Sequence, residues 1–303
     1  MFPRDDSPMT NASTIQLRAG RNVGLHRLGE GGDRVVVLCH PAPGSGAFDP
    51  DPAETARRGV TLLAVDRPGY GASEPPRDGE PGGVGEAADD LAEVLDGIGA
   101  GPVGVAGWSA GGRVALALAA RRPDLVDRVA VIATPAPDEA VPWIPEPFVR
   151  MLDALRGLPP EAARDQLAEQ LSAIVPTRAG DEAALGLLGR APVDDSAVEA
   201  DGARERLATM LEVAFAQGAI GMAADIAGYG IHPWGFEPSQ VAAKVLLVYG
   251  SQDPAIAQRH GAWYQRQLPD ARLEMTPGAG HFVVIPRWGR VLSHLAPGAL
   301  GRD

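Results

Sequence analysis

Short apolar runs recur along the chain, and each is followed by a turn rich in glycine or proline and then by a helical pattern. The runs are apolar on both faces, which is typical of strands that helices cover on both sides of a sheet. Such strands are predicted at residues 35–38, 62–65, 103–106, 129–132 and 245–249, and helices at 86–98, 110–121 and 256–268. This alternation predicts an α/β fold with a mostly parallel, doubly wound sheet. Two earlier segments, 15–18 and 25–28, are predicted to form a leading antiparallel pair.

The alternation of strands and helices stops between residues 135 and 240. That stretch has helical patterns near 148–156, 162–174, 182–188 and 203–216 and no convincing strand pattern. Because a strand pattern returns at 245–249, the economical interpretation is a helical cap inserted between two strands of one sheet. We therefore predict a core of residues 1–134 and 241–303 and a cap of residues 135–240.

Composition and charge narrow the class of partner. The 303-residue chain has a formal net charge of -12, and its basic residues are scattered. Nucleic acid and anionic membranes are therefore electrostatically poor partners. Cys39, the only cysteine, cannot form an intramolecular disulfide, and residues 1–13 have no apolar segment of a secretory signal. Apolar stretches fall short of the ~18 residues that a membrane span requires. We expect a cytoplasmic protein without nucleic-acid or membrane partners, and the sequence is compatible with a homo-oligomer.

The strongest local motif follows the predicted strand at 103–106. Its sequence, Gly107-Trp108-Ser109-Ala110-Gly111, matches G-x-S-x-G between a strand and a helix. A serine on so sharp a turn needs small residues two positions to either side, and both places hold glycine. The turn would present Ser109 at the carboxyl edge of the sheet, where the amide of Ala110 can donate to a developing oxyanion.

A serine hydroxyl is a weak nucleophile by itself, so this motif requires a base and an orienting acid. His281 lies in a glycine-rich loop after a short predicted strand at 273–275, and Asp253 follows the strand at 245–249. Both would lie at carboxyl strand ends, where α/β sheets place their sites. The chain order Ser109, Asp253, His281 is the order expected when such a serine motif is catalytic.

Two alternatives remain open for the acid. Asp253 could instead cap the helix that follows it, which is a common role for aspartate. Asp138 and Glu139 follow the strand at 129–132 closely enough to compete as partners of the histidine.

A second oxyanion donor is expected from the loop His40-Pro41-Ala42-Pro43-Gly44, which follows the strand at 35–38. The amide of Ala42 is the candidate. His40 is expected to brace this loop rather than to titrate in catalysis. Beside these donors, His40 and Trp108 are predicted to line the substrate pocket.

Several of these segments together resemble a known family. Residues 40–44 resemble an H-G-x-P-G loop, with Pro41 in place of the usual glycine, and residues 66–73 are similar to a D-x-x-G-x-G-x-S segment. With 107–111, 250–253 and 280–281, they make the chain similar to the α/β-hydrolase superfamily, and more narrowly to its small capped serine esterases, peptidases and perhydrolases. The resemblance covers about 25–295 apart from the cap, and it implies the fold and the roles of the three site residues.

The expected chemistry is acyl transfer to water through a covalent serine intermediate, with a small ester as substrate. An aminopeptidase, a lactonase, a thioesterase or a carbon–carbon bond hydrolase would use the same residues. A different class, a ligand-binding protein or biosynthetic helper that does not hydrolyse, stays open. The serine argues against relatives with an aspartate nucleophile, such as epoxide and haloalkane hydrolases.

No cofactor and no metal are predicted. The histidines show no metal-ligand spacing with one another or with Cys39, which is interpreted as a buried core thiol. Residues 83–88 fit the loose dinucleotide pattern G-x-G-x-x-A, but they follow a proline-rich loop instead of a strand.

Overall fold

The computed structural model describes residues 12–29, 32, 34–176 and 180–298. Within these ranges, eight strands form one sheet in the order β1-β2-β4-β3-β5-β6-β7-β8. Strands β1 and β2 are antiparallel to their neighbours, and the pairs from β4 to β8 are parallel. The strands are β1 (Ala12–Gln16), β2 (Asn22–Leu28), β3 (Arg34–Cys39), β4 (Val60–Val65), β5 (Val103–Trp108), β6 (Val126–Ile132), β7 (Lys244–Gly250) and β8 (Ala271–Thr276). The predicted α/β class, the parallel sheet and the leading antiparallel pair are confirmed.

The two faces of the sheet bury different residues of the same strands, because side chains alternate along a strand. On β5, Val103 and Val105 pack in the layer of α2 (Val84–Ile98) and α3 (Gly111–Arg121). Ala106 and Trp108 belong to the opposite layer. That second layer includes α11 (Trp288–Leu295), so both faces are covered, as the apolar strand patterns predict.

Between β6 and β7 the described residues form helices and no strand. They are α4 (Glu146–Leu155), α5 (Pro160–Ser172), α6 (Glu182–Leu187), α7 (Asp195–Val198), α8 (Ala203–Ala214) and α9 (Ile220–Gly230). Helices α4, α5 and α9 share a small apolar core of their own, whereas α8 packs into the core on one face of the sheet. The helices near 148–156, 162–174, 182–188 and 203–216 are thus confirmed, and the division at 135 and 240 stays a prediction.

Four of the described helices were not predicted. They are α1 (Pro52–Arg57), α7, α9 and α11, while α10 (Gln258–Gln267) lies within the predicted helix at 256–268. Helix α9 has the sequence IGMAADIAGYG, which is apolar nearly all round and contains three glycines. It therefore lacks the amphipathic stripe and the helix-favouring composition on which a prediction depends.

The expectation about a secretory signal falls mainly on residues 1–11, which lie outside the described residues. In the ranges that are described, no helix combines the length and the apolar character that crossing a bilayer demands.

The start of α3 lies so close to β3 that one position has room only for glycine. A Cβ added at Gly111 would lie 2.1 Å from the carbonyl oxygen of Cys39, which is a backbone atom that cannot rotate away. We expect Gly111→Ala to lower the free energy of unfolding by about 1–3 kcal/mol.

Gly97→Ala is the matched control, because Gly97 lies inside α2 and a Cβ there meets no atom within 4 Å. That variant should be neutral or more stable by about 0.4–1 kcal/mol. Urea unfolding of both variants checks the prediction. Equal stability of the two would show that the backbone approach at Gly111 carries no strain.

Candidate active site

Ser109 lies on the turn that joins β5 to α3, in a backbone conformation that side chains disfavour. Its φ is 53°, in the left-handed region, and its amide donates to the carbonyl oxygen of Ile132 at 2.8 Å. A Cβ at Gly107 would lie 2.3 Å from the carbonyl oxygen of Gly111. The glycines of the motif are therefore required by the close approach of strand and helix, as the sequence indicates.

His281 and Asp253 form a buried hydrogen-bonded pair. Nδ1 of His281 lies 2.7 Å from Oδ2 of Asp253, and Oδ1 of Asp253 accepts the amides of Ile256 at 2.8 Å and Ala255 at 3.0 Å. Burial alone raises the pKa of Asp253, but the hydrogen bond and charge of His281 and the two amides lower it below its ordinary value. The carboxylate is therefore ionised at neutral pH and can stabilise a positively charged imidazole.

The competing acids contact other groups. Oδ1 of Asp138 accepts the amides of Trp143 at 2.7 Å and Ile144 at 2.8 Å. Glu139 is exposed, with an oxygen 3.8 Å from Arg156. The geometry therefore favours Asp253. Asp253 does not cap α10, whose N-cap is Ala257 without a side-chain hydrogen bond; it accepts the amides of the turn that precedes this helix.

A cavity of about 570 Å³ brings the candidate residues together. Ser109, His281 and Asp253 border it, together with Ala42 and Ala110. Much of the remaining wall is apolar and comes from the helices between β6 and β7, including Ile144, Phe148, Leu152, Leu187, Met222 and Ile226. Among the described residues, the Ser109 hydroxyl forms no hydrogen bond with His281. Such bonds commonly tighten only when substrate binds.

Ala42 and Ala110, the candidate oxyanion donors, both border the cavity. Ala110 immediately precedes α3, and no described residue accepts a hydrogen bond from the amide of Ala42 or Ala110.

Arg67 fixes the loop before Ala42 by donating to the carbonyl oxygens of His40 and Pro41. Arg67 also forms a bidentate ion pair with Asp225 of α9, at 2.6 and 2.9 Å, so it ties this loop to the inserted helices.

Trp108 and His40 do not line the cavity, and that prediction is wrong. Both side chains are buried. Side chains alternate along β5, so the ring of Trp108 is turned toward Phe282, and the two ring centroids are 5.3 Å apart. Its Nε1 donates to the carbonyl oxygen of His281 at 3.0 Å. The imidazole of His40 contacts the Pro41 carbonyl oxygen at 2.8 Å and accepts the Arg67 amide at 3.1 Å. Burial, with the nearby charge of Arg67, holds the pKa of His40 well below its usual range.

Cys39 fits the interpretation of a core thiol. It is buried, and burial raises its pKa to about 12, so the thiol stays protonated and is a poor nucleophile. Within the described ranges, no cluster of three or more His, Cys, Asp or Glu side chains could hold a metal ion.

Asp194, which the sequence analysis missed, supports the loop that carries His281. It is only 1% exposed, and it precedes α7 among the inserted helices. Oδ1 accepts the amide of Phe282 at 3.0 Å and Oδ2 accepts that of Ala191 at 3.1 Å. A Cβ at Gly280 would lie 2.5 Å from Oδ1, so this glycine is needed for the approach. No local pattern marks Asp194, because its partner is far away along the chain.

We expect Asp194→Ala to loosen the His281 loop. The Phe282 amide would lose its acceptor, and its hydrogen exchange should become about tenfold faster or more, since a bond to a charged group is worth about 1.5–3 kcal/mol. Asp195→Ala is the control, because Asp195 is exposed and pairs with Arg190 at 2.7 Å. Hydrogen–deuterium exchange of peptides that contain Phe282 measures both. Unchanged exchange in Asp194→Ala would contradict this role.

Comparison with known proteins identifies the family. A family model described as alpha/beta hydrolase fold matches residues 34–287. The chain is 29% identical over 249 residues to 2-(acetamidomethylene)succinate hydrolase of Mesorhizobium japonicum, covering 79% of this chain and 78% of that protein. It is 28% identical over 265 residues to pimeloyl-[acyl-carrier protein] methyl ester esterase of Nitrosomonas europaea, covering 86% and 92%.

Solved structures agree on the fold. A hydrolase from Pseudomonas aeruginosa superimposes with a TM-score of 0.69 at 20% identity, covering 97% of this chain and 100% of that one. The named relatives support a hydrolytic enzyme. On the extent of the family match, the chain belongs to the α/β-hydrolase fold family.

Proposed function

We propose that the protein is a serine hydrolase that cleaves a small carboxylic ester through an acyl-enzyme. One observation carries the proposal: Ser109, on its strained turn, borders the same cavity as His281, whose Nδ1 is held 2.7 Å from Asp253. A hydroxyl, an imidazole and a buried carboxylate at one cavity wall are what nucleophilic acyl transfer requires.

In the proposed reaction, Oγ of Ser109 attacks the ester carbonyl carbon while His281 accepts the hydroxyl proton. Asp253 stabilises the resulting imidazolium, and the amides of Ala42 and Ala110 hold the oxyanion. The intermediate collapses, the carbon–oxygen bond to the alcohol breaks, and His281 gives its proton to the leaving oxygen. Water then attacks the acyl-enzyme with His281 as base, which releases the acid and restores Ser109.

The cavity and the relatives support a small acyl substrate. A volume of about 570 Å³ lies in the range that small-molecule sites occupy, about 300–1,000 Å³, and the wall is largely apolar. One relative is named a methyl ester esterase and another a hydrolase of an acetamidomethylene succinate. An ester is the substrate class that demands least of the leaving group, so it is proposed ahead of amides, lactones, thioesters and carbon–carbon bonds.

Removing the nucleophile should abolish turnover. Ser109→Ala is expected to lower kcat toward chromogenic esters by about 10⁴ or more, because no other group can form the acyl-enzyme. A fluorophosphonate should label the unmodified protein and not this variant. Ser172→Ala, in the exposed part of α5, is the control and should be labelled normally. A folded parent protein that is not labelled and hydrolyses no ester, amide, lactone or thioester would favour a ligand-binding role.

The identity of the acid can be tested separately. Asp253→Asn is expected to lower kcat by about 10⁴, because the neutral amide cannot stabilise the imidazolium or fix its tautomer. Asp138→Asn should stay within a few-fold of the parent protein, because Asp138 has no hydrogen bond with His281 and the carboxamide oxygen of asparagine can still accept the amides of Trp143 and Ile144. Steady-state kinetics with one ester compare the two. A severe loss in Asp138→Asn with a near-neutral Asp253→Asn would reverse the assignment.

A further inference from the structure

The active-site cavity is bordered by a buried arginine that the proposed chemistry does not use. Arg113 is four positions after Ser109, in the first turn of α3, and is only 2% exposed. Its Cζ lies 4.6 Å from the ring centroid of Tyr229 and 4.8 Å from that of Trp234. These contacts stabilise the cation, and its N–H groups supply any further hydrogen bonds.

No carboxylate of the described residues forms an ion pair with Arg113. One terminal nitrogen donates to the carbonyl oxygen of Pro135 at 3.0 Å, while Nε is buried and has no hydrogen-bond partner. Among the described residues, no carboxylate oxygen lies within 4.0 Å of this guanidinium, although the side chain is almost fully enclosed. A buried cation is costly unless an anion pairs with it.

Three carboxylates that border a neighbouring cavity have other partners. A second cavity of about 210 Å³ adjoins the active-site cavity, and Asp138, Glu139 and Asp153 border it. Asp138 accepts two backbone amides, and Arg156 lies 2.9 Å from Asp153 and 3.8 Å from Glu139. None of the three pairs with Arg113, and Arg113 also borders the active-site cavity, from which an anion could pair with it.

A second unpaired donor lies on the same wall. Nε1 of Trp143 is buried without a partner, and Trp143, like Arg113 and Tyr229, borders both cavities. Water could accept these hydrogen bonds, but it would leave the positive charge unbalanced. A carboxylate satisfies both requirements, because its two oxygens lie in one plane and match the edge of a guanidinium.

We propose that Arg113, together with the indole N–H of Trp143, binds a carboxylate of the substrate. The inference rests on the proposed function and narrows its substrate class to half-esters of short dicarboxylic acids. A single guanidinium in an otherwise largely apolar cavity balances one negative charge, which favours a carboxylate over a phosphate dianion. The cavity of about 570 Å³ holds both Arg113 and Ser109 on its wall, so one small molecule can reach both.

The first test compares matched esters on the unmodified enzyme. The probes are mono-4-nitrophenyl esters of succinic, glutaric and adipic acid, each beside the same molecule with its free carboxylate methylated. We expect kcat/KM for the preferred acid to exceed that for its neutral partner by about tenfold or more, chiefly through KM. Faster hydrolysis of the neutral partner at all three lengths would overturn the proposal.

The second test removes the donors. Arg113→Gln should lower the ratio of acid to neutral kcat/KM by about tenfold or more, and Trp143→Phe, which keeps the ring bulk, should lower it by a smaller factor. Arg150→Gln is the control for loss of charge, because Arg150 is an exposed residue of α4 paired with Glu146 at 3.0 Å. Arg113→Lys, which retains the cation, should keep part of the ratio. An unchanged ratio in Trp143→Phe and in every folded Arg113 variant would refute the subsite.

A binding measurement separates this inference from the proposed function. Titration of Ser109→Ala with glutarate, followed by calorimetry, needs no turnover. We expect binding that is about tenfold weaker or more when Arg113→Gln or Trp143→Phe is added to Ser109→Ala. If the unmodified protein is not labelled by a fluorophosphonate and hydrolyses no ester, while Ser109→Ala binds glutarate, the serine mechanism alone is refuted. Turnover of neutral esters without any glutarate binding would refute the carboxylate subsite alone.

Discussion

The close approach of β5, α3 and the end of β3 is the constraint on which the site depends. A Cβ at Gly107 or at Gly111 would collide with a main-chain carbonyl group, so both positions exclude side chains. This contact holds Ser109 in the left-handed region at φ 53° and presents its hydroxyl to the cavity. The packing of the strand and helix around the turn offsets the energetic cost of this conformation, as is general for strained functional turns.

The segment between β6 and β7 contacts two loops of the candidate site. Asp194 accepts the Phe282 amide beside His281, and Asp225 forms a bidentate pair with Arg67, which holds the loop that precedes Ala42. This segment thus contacts both the loop of the candidate base and the loop of a candidate oxyanion donor. Since it also supplies much of the apolar wall, changes there alter both the shape of the cavity and the placement of the polar groups at its edge.

Electrostatics within the cavity differ from those of the chain as a whole. The formal net charge is -12, yet the buried cation of Arg113 borders the cavity with no carboxylate within 4.0 Å in the part of the chain that is described. Asp253 supplies negative charge at the same cavity, where it contacts His281. The proposed selection of a small molecule by the position of its charge depends on this cation and on the largely apolar wall around it.

The sequence by itself determined the alternation of strands and helices, the glycine-flanked turn at Ser109 and the chain order of Ser109, Asp253 and His281, because these depend on local backbone requirements. Only the tertiary structure decided which carboxylate meets His281, since Asp253 and Asp138 both follow strands and only spatial pairing separates them. It also turned Trp108 away from the cavity. It brought Arg113 to the cavity wall and Asp194 to the loop that carries His281. Those placements arise from contacts between residues distant along the chain, which no local pattern of residues records.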